Sequence, residues 1–254
     1  MGAEGIPETT TMDTSDFTWL AILFVAYLVR GITGFGSALV AVPLLAHRYP
    51  LTVVVPVVMV LDFGASFVLG GVRRQEIDWR EIRRLLPFGV VGAAAGVWLL
   101  TEAPSAPLLL ALGGFVVFFG LRNVLQPAAG SAISTAWAAP AALAGGMTGA
   151  LFGASAPPYM IYLTRRIADK SRIRSTFSGL FVVDGGFRLV MFAAAGLLLS
   201  RETMSAIALG VAPMLAGLWL GNRIHVGITR EQMLRIVGIV LMASGISLLL
   251  KGLT

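Results

Sequence analysis

Residues 31–43 read GITGFGSALVAVP and lie inside an apolar segment that extends from residue 17 to residue 47. Three glycines fall within the first six residues of this stretch, and none of its residues is charged. A continuous helix over the whole segment would measure about 46 Å, whereas the hydrocarbon core of a bilayer is about 30 Å thick. Glycine also weakens a helix interior and accepts left-handed backbone conformations. The stretch therefore predicts a helix that breaks inside the membrane.

A second stretch of the same kind occurs in the other half of the chain. Residues 146–158 read GMTGALFGASAPP and lie inside another long apolar segment, 133–163. The two stretches match at a constant spacing of 115 residues, and later positions match at spacings of 122 and 125 residues. The matched positions are Gly31 with Gly146, Thr33 with Thr148, Gly34 with Gly149, Pro43 with Pro158, Asp62 with Asp184, Gly64 with Gly186, Gly96 with Gly221, Gly113 with Gly238 and Gly120 with Gly245. This order indicates a duplication, with repeats at 17–126 and 127–254 that follow a disordered external tail at 1–16.

The composition is that of an integral membrane protein. Hydrophobic residues make up 57% of the 254 residues, charged residues make up 13%, and the mean hydropathy is +0.85. A soluble domain carries about twice that share of charged residues. Since so few polar groups cannot cover a globular surface in water, the chain is predicted to cross the membrane several times. The candidate apolar segments are 17–47, 51–72, 85–101, 106–125, 133–163, 175–200, 203–222 and 232–251.

The charge and the rarer residue types argue against several kinds of partner and site. The net charge is +6, but the basic residues are concentrated in two short loops, which is typical of topology signals rather than of nucleic-acid binding. The chain has no cysteine and two histidines, His47 and His225, so neither a metal site nor a cofactor is predicted. It contains no HExxH or GxSxG motif, which argues against an enzyme. The predicted partners are lipid and a small substrate, and a dimer is one of the oligomeric states left open.

The basic loops predict the orientation of the chain. Loops 72–84 and 164–174 each carry five basic residues and are predicted to be cytoplasmic. Two ordinary spans between them return the chain to the cytoplasm, so segment 133–163 must enter and leave on that side as a V. The repeat predicts the same for segment 17–47, with the N-terminus external. The predicted fold is an all-α polytopic membrane protein of two inverted repeats, each with a broken re-entrant helix pair and three transmembrane helices.

The broken segments indicate where a ligand binds. Non-helical backbone at membrane depth survives only where it is buried in protein or lines a wet cavity. In secondary transporters, paired broken helices meet at the repeat interface, so the tips at 31–37 and 146–155 are predicted to meet near mid-depth. Their N–H groups and hydroxyls favour an anion. The alternative is that such small residues only permit tight helix packing, the interpretation we favour for Gly92 and Gly96. The predicted substrate-binding residues are Gly31, Thr33, Gly34, Gly36, Ser37, Gly146, Thr148, Gly149, Gly153, Ser155 and Arg188, and the predicted helix-breaking residues are Pro43, Pro157 and Pro158.

Three ionisable residues are predicted to lie inside the spans. Asp62 is near the middle of its apolar segment, Asp184 is its repeat equivalent, and Arg188 follows Asp184 by one helical turn. Ionisable groups within a membrane are costly and often functional. One interpretation is that Arg188 neutralises the substrate while the aspartates carry a coupled ion. The alternative is an Asp184–Arg188 pair that only stabilises the fold. Asp62 has no evident local partner.

The chain resembles the sulfite exporter TauE/SafE family of bacterial membrane proteins. The resemblance rests on GITGFGSALVAVP and GGMTGALFGASAPP, each opening one half, and on the length and the duplication. It implies an inner-membrane protein that exports small anions, such as sulfite, sulfoacetate and other short organosulfonates or carboxylates, with coupling to a proton or sodium gradient. We therefore predict a secondary anion transporter that works by alternating access. The alternatives are a passive anion channel of the same fold and a membrane scaffold that transports nothing.

Overall fold

The structure, a computed structural model, describes residues 17–34, 36–68, 74–125, 132–223 and 230–253. The external tail predicted before residue 17 lies outside the described residues. Within them, the chain forms ten α-helices, two short 3-10 helices and no β-strand. The α-helices are α1 (Phe17–Thr33), α2 (Ser37–Leu45), α3 (Leu51–Val68), α4 (Trp79–Glu102), α5 (Ser105–Leu125), α6 (Ala138–Phe152), α7 (Ala156–Arg166), α8 (Lys170–Ala194), α9 (Arg201–Arg223) and α10 (Arg230–Leu253).

Six of the described helices are long and apolar enough to cross a membrane. They are α3, α4, α5, α8, α9 and the part of α10 at Arg235–Gly252. The other four helices form the two long segments, since α1 continues into α2 and α6 continues into α7. The prediction of an all-α polytopic membrane protein is therefore confirmed.

Two spanning helices begin earlier than predicted. Helix α4 begins at Trp79 and α8 begins at Lys170, so both start inside the predicted basic loops. Asp78 caps α4 and Asp169 caps α8, because each carboxylate accepts a hydrogen bond from a backbone N–H group of the first turn. The loops are shorter than predicted because these caps extend each helix beyond its apolar part.

Both long segments break at glycines with left-handed backbone. The first break lies between α1 and α2, where Gly34 has a φ of 86° and Gly36 a φ of 97°. The second lies between α6 and α7, where Gly153 has a φ of 67°. A residue with a side chain adopts this conformation at a cost of about 1–2 kcal/mol, so the glycines make the breaks possible.

The prolines near the breaks have two different roles. Pro43 lies inside α2, which continues to Leu45, so the prediction that Pro43 breaks the helix is wrong. A proline is tolerated within a membrane helix where neighbouring groups satisfy the carbonyl that it leaves unpaired. Pro157 and Pro158 follow the second break directly, in the first turn of α7. There a missing N–H group costs nothing, because the first N–H groups of a helix have no partner within it.

Glycines let two pairs of helices touch along their backbones. A methyl group at Gly92 of α4 would collide with the carbonyl oxygen of Leu143 in α6, and one at Gly96 would lie 2.7 Å from the carbonyl oxygen of Met147. In the same way, Gly217 of α9 lies against the backbone of α1. The packing role expected for Gly92 and Gly96 is confirmed.

Helices α5 and α10 contact each other through equivalent positions. A methyl group at Gly113 would lie 2.9 Å from the carbonyl oxygen of Gly245, and one at Gly120 would lie 2.8 Å from that of Gly238. The start of α5 thus meets the end of α10, so the two helices run antiparallel. Gly113 matches Gly238 in the repeat, and Gly120 matches Gly245. Each helix therefore offers the same two positions to the other.

The two breaks lie against each other. A Cβ atom built on Gly153 would lie 3.1 Å from the Cβ atom of Ala38 and 3.7 Å from the side chain of Val42, both in α2. The second break therefore packs beside the helix that follows the first break. The structure brings together the two tips, as the sequence predicts.

The two basic loops also meet. The Nη2 atom of Arg166, at the end of α7, lies 3.2 Å from the Oε1 atom of Glu81 in α4. The Nη2 atom of Arg172 in α8 lies 3.3 Å from the Oδ2 atom of Asp78. Because these contacts connect both loops, the loops lie on one face of the molecule.

Candidate anion-binding site at the helix breaks

An aspartate of α3 anchors the first break. Asp62 is 5% exposed, and its Oδ1 atom lies 2.6 Å from the Nη1 atom of Arg30 in α1. The same oxygen accepts hydrogen bonds from the hydroxyls of Tyr27, at 2.8 Å, and Ser37, at 2.6 Å. Ser37 is the first residue of α2. Asp62 therefore holds together the three helices that meet at this break.

Arg30 makes further hydrogen bonds with the same surroundings. Its Nη2 atom donates to the carbonyl oxygen of Asp62 at 3.0 Å and to the hydroxyl of Ser66 at 2.8 Å. Its Nη1 atom donates to the Ser37 hydroxyl at 3.1 Å. A buried ion pair is stable only if such bonds satisfy its remaining donors and acceptors. We name Tyr27, Arg30, Ser37, Asp62 and Ser66 the first polar cluster.

The expectation that Asp62 has no nearby partner is wrong. Arg30 lies 32 positions earlier in the chain and on another helix, so a search for partners one helical turn away does not find it. A signal was present in the sequence. Arg30 is the one acidic or basic residue, histidine aside, in the segment 17–47, and it stands directly before Gly31.

An ion pair of α8 lies at the second break. The Oδ2 atom of Asp184 is 2.8 Å from the Nη2 atom of Arg188, and both side chains are 0% exposed. The Nη2 atom of Arg188 donates to the hydroxyl of Ser155 at 3.3 Å. Ser155 ends the second break and precedes α7. The pair proposed from the one-turn spacing therefore forms, and it faces the break.

A glycine of α6 makes room for the guanidinium group. A Cβ atom at Gly149 would overlap the Nη1 atom of Arg188 and would lie 2.8 Å from the Cβ atom of Ser155. Any side chain at Gly149 would therefore displace Arg188 from the break. This contact gives the predicted site residue Gly149 a defined place beside the ion pair.

A buried tyrosine of α7 completes this group. A Cβ atom at Gly89 would lie 2.5 Å from the hydroxyl oxygen of Tyr159 and 3.2 Å from the Oδ1 atom of Asp184, so these two oxygens are neighbours. The Tyr159 ring packs against Gly145, where a Cβ atom would lie 2.8 Å from it. We name Ser155, Tyr159, Asp184 and Arg188 the second polar cluster. Its residue types repeat those of the first cluster, although they come from different helices.

The second polar cluster has unpaired polar atoms. Within the described part of the chain, both carboxylate oxygens of Asp184, the Nε and Nη1 atoms of Arg188 and the hydroxyl of Tyr159 are buried without a hydrogen-bond partner. The 2.8 Å approach of Asp184 to Arg188 is thus a contact of charges without an aligned N–H bond. In the first polar cluster, the Nε atom of Arg30 is the one atom that is buried without a hydrogen-bond partner. Unpaired buried polar atoms are costly and point to a missing partner.

An aromatic ring connects the two clusters. The guanidinium carbon of Arg30 lies 5.9 Å from the centre of the Phe181 ring, and that of Arg188 lies 5.7 Å from it. Both distances are within the range of a cation–π contact, and they place the two guanidinium carbons within about 12 Å of each other. The clusters of the two halves are therefore neighbours.

The predicted threonines make contacts within their own tips. The hydroxyl of Thr33 donates to the carbonyl oxygen of Val29 at 2.8 Å. The hydroxyl of Thr148 lies 2.8 Å from the carbonyl oxygen of Ala144 and 3.1 Å from that of Ala154. Each hydroxyl has a single hydrogen, and here it serves a backbone carbonyl. The structure thus gives both threonines a role in holding the breaks, and their contact with the substrate stays a prediction.

Two predicted site glycines are packing positions. A methyl group at Gly31 would lie 2.8 Å from the carbonyl oxygen of Leu218 in α9, and one at Gly146 would collide with the carbonyl oxygen of Gly89 in α4. Close backbone approach of this kind requires glycine. Gly31 and Gly146 therefore permit tight helix packing, and their contact with the substrate stays a prediction.

The other predicted glycines of the first tip have free space beside them. A Cβ atom at Gly36 would meet nothing within 4 Å, and one at Gly34 would meet only the Nη2 atom of Arg174, at 3.8 Å. Gly36 precedes α2 and offers no side-chain cap. The first N–H groups of α2 can therefore serve an anion that enters this space.

The donor set at the breaks suits an oxyanion better than a metal ion. No group of three His, Asp or Glu side chains placed to hold a metal occurs among the described residues. The breaks combine two arginines with hydroxyl groups, and guanidinium donors match the oxygens of a small anion.

Comparisons with known proteins show the family of the chain. The family model described as sulfite exporter TauE/SafE matches residues 19–248. The "Probable inner membrane transporter protein TsaS" of Comamonas testosteroni is 30% identical over 196 residues, covering 75% of this chain and 80% of that protein. The "Probable sulfite/organosulfonate exporter TauE" of Cupriavidus necator is 26% identical over 243 residues, covering 92% of this chain and 93% of that protein. No solved structure matches the chain. The chain belongs to the sulfite exporter TauE/SafE family of transmembrane transporters.

Proposed function

We propose that the protein is a secondary transporter that exports sulfite, an organosulfonate such as sulfoacetate, or a similar small anion across the bacterial inner membrane. The observation that carries this proposal is Arg188, a fully buried guanidinium group at the second break with two nitrogen atoms unpaired. The membrane interior penalises an unsatisfied cation, so such a group attracts an anion. The names of the two relatives, a transporter and a sulfite/organosulfonate exporter, support this class of substrate.

The surroundings of Arg188 fit a sulfite or sulfonate group. Such a group presents three oxygens, and the planar guanidinium fork can donate two parallel N–H bonds to two of them. The hydroxyl of Ser155, next to Nη2, adds a further donor, and Gly149, which has no side chain, lies directly against Nη1. Helix α7 contributes few backbone donors, because Pro157 and Pro158 have no N–H group. The first turn of α2 contains no proline, so its backbone N–H groups remain available as donors.

Transport by alternating access requires that the two halves move relative to each other, and we assign them as inverted repeats. The antiparallel contact between α5 and α10 supports this assignment, because equivalent helices that run antiparallel are related by an axis in the membrane plane. Equivalent pairs also pack alike, since α4 lies on α6 as α9 lies on α1. The site lies where the breaks of the two halves meet.

The proposed orientation places the N-terminus outside and loops 72–84 and 164–174 in the cytoplasm. Each loop carries five basic residues, which favours the cytoplasmic side. The contacts of Arg166 with Glu81 and of Arg172 with Asp78 support placing both loops on the same side.

We assign ion coupling to the buried aspartates. Asp62 and Asp184 are 5% and 0% exposed, and each lies next to an arginine that faces a break. A carboxylate in this position can exchange its arginine for a proton or a sodium ion when the anion arrives. The proposed anion site and the proposed coupling site therefore lie together in the two polar clusters.

Sulfite flux from liposomes containing the purified protein tests this function. Arg188→Lys keeps the charge that faces Asp184 but removes the guanidinium fork, so the flux should fall at least about tenfold while the melting temperature changes little. Arg165→Lys makes the same exchange at an exposed position near the end of α7 and should keep the wild-type flux. Wild-type flux in Arg188→Lys would refute the proposed site. Flux that does not saturate with sulfite would indicate a passive channel.

A further inference from the structure

We infer that Asp184 competes with the transported anion for Arg188, so that binding of one anion makes Asp184 take up one proton. This inference rests on the proposed anion site at Arg188 and specifies how that site is coupled to protons. It also separates the two aspartates, which occupy matching positions in the repeat.

The two aspartates differ in how firmly they are held as carboxylates. Asp62 receives hydrogen bonds from the Tyr27 and Ser37 hydroxyls, and its partner Arg30 has further bonds of its own. The polar neighbours of Asp184 within the described residues are the Tyr159 hydroxyl and Arg188, neither in an aligned hydrogen bond, and the charge of Arg188 is what chiefly stabilises its ionised form. Loss of the Arg188 charge would therefore destabilise the ionised form of Asp184 strongly. Loss of any one contact would destabilise the ionised form of Asp62 far less.

Arg188 carries one positive charge and can neutralise one anion. Its Nη1 atom is an unpaired donor at the second break, so an anion can bind there while the Nη2 atom stays beside Ser155. Once the anion neutralises the guanidinium group, Asp184 becomes a fully buried carboxylate without a counter-ion. Such a group takes a proton rather than remain charged.

The proton balance follows directly. A hydronium ion delivered by the water that enters with the anion gives its proton to an oxygen of Asp184, and water is left. Before binding, the site holds one carboxylate and one guanidinium group, with no net charge. After binding, it holds the anion, the guanidinium group and a neutral carboxylic acid, again with no net charge. The new O–H group can donate to the neighbouring Tyr159 oxygen.

No other described cation can replace Arg188 beside Asp184. The groups that face Asp184 or Arg188 from neighbouring elements are Gly89 of α4, Gly149 of α6, Ser155 and Tyr159 at α7 and, beyond the ring of Phe181, the Arg30–Asp62 pair of α1 and α3. Of these, Arg30 is the one cation, and Asp62 already neutralises it. The exchange at Arg188 is therefore electroneutral. Because the anion and the proton would leave the cell together, export proceeds only while the outward gradient of the anion exceeds the inward gradient of protons.

Calorimetric binding of methanesulfonate to the purified protein tests the exchange, because methanesulfonate stays ionised at every pH used. The wild-type affinity should fall about tenfold for each unit of pH increase, with one proton taken up per anion. The proton number is read from the binding heat in buffers that differ in ionisation enthalpy. Asp184→Asn should bind more tightly at neutral pH, without pH dependence and without proton uptake. Glu102→Gln, which removes an exposed carboxylate at the end of α4, should behave as the wild type.

The outcomes separate this inference from the proposed function. Wild-type binding that is independent of pH, but lost in Arg188→Lys, would overturn the exchange and leave the anion site in place. Proton release on binding, or an unchanged pH dependence in Asp184→Asn, would overturn it as well. Failure of the wild type to bind either methanesulfonate or sulfite would overturn both. The wild-type proton number decides the inference even if Asp184→Asn does not fold.

Discussion

Arg30 and Arg188 come from different halves of the chain and approach the same aromatic ring. Their guanidinium carbons lie 5.9 and 5.7 Å from the centre of the Phe181 ring. Each arginine also contacts a buried aspartate, Asp62 or Asp184, and a serine of its own break. A movement that separates the two breaks must therefore change at least one contact between an arginine and this ring.

Replacing the shared ring should loosen both clusters. Phe181→Leu keeps an apolar side chain but removes both cation–π contacts, so it should destabilise the protein by about 1–2 kcal/mol. Phe177→Leu is the control, because Phe177 lies one turn earlier on α8 and its ring is 6.3 Å from that of Phe181. Thermal unfolding in detergent compares the two variants. Equal losses of stability would contradict a special role for Phe181.

The first polar cluster should behave as one unit. Asp62→Asn leaves Arg30 as a buried cation without its counter-ion, which should cost about 3–5 kcal/mol of stability. Arg30→Gln leaves the carboxylate unpaired and should cost a similar amount. The double variant removes both charges and should recover much of the loss, which a double-mutant cycle measures. Strictly additive losses would show that Arg30 and Asp62 do not stabilise each other.

The glycines of the breaks should tolerate a methyl group to different degrees. Gly153→Ala forces alanine into a left-handed conformation and places its Cβ atom 3.1 Å from Ala38, so it should cost about 1–2 kcal/mol or more. Gly36→Ala adopts the same strained conformation but meets open space, so only the cost of strain applies. Gly186→Ala is the control, since it lies within helix α8 without a neighbour inside 4 Å and should gain up to about 1 kcal/mol. A stable Gly153→Ala protein with wild-type flux would argue against a fixed second break.

The proposed orientation can be tested on this cysteine-free chain. Ala168→Cys lies in the basic loop between α7 and α8, and Ser105→Cys lies at the start of α5, both at exposed positions. A membrane-impermeant thiol reagent added to intact cells should label Ser105→Cys and leave Ala168→Cys unlabelled. Labelling of Ala168→Cys alone would show that the orientation is the reverse of the proposed one. The direction of transport inferred from it would then be reversed as well.

Much of the fold could be predicted because it follows from composition and local chemistry. Apolar length predicts the six spanning helices, and clustered glycines predict the two breaks, since left-handed backbone at Gly34 and Gly153 needs no information from distant parts of the chain. The starts of α4 and α8 were missed because Asp78 and Asp169 cap them beyond the apolar stretches.

The candidate site could be predicted only in part. Asp184 and Arg188 are one turn apart on one helix, so their pair follows from the sequence. The pair of Asp62 with Arg30 joins two helices and depends on how α1 packs on α3. The role of a glycine is equally hard to predict from the sequence. Whether Gly31 packs against a helix or faces a ligand depends on where α9 lies.

The most direct measurement is a structure of the protein determined with methanesulfonate. A sulfonate oxygen should lie within hydrogen-bond distance of the Nη1 atom of Arg188, about 2.7–3.2 Å, with Ser155 beside it. The guanidinium group should remain against Phe181 while the carboxyl group of Asp184 turns toward the Tyr159 hydroxyl. An anion bound elsewhere, with Arg188 still in contact with Asp184, would contradict the account.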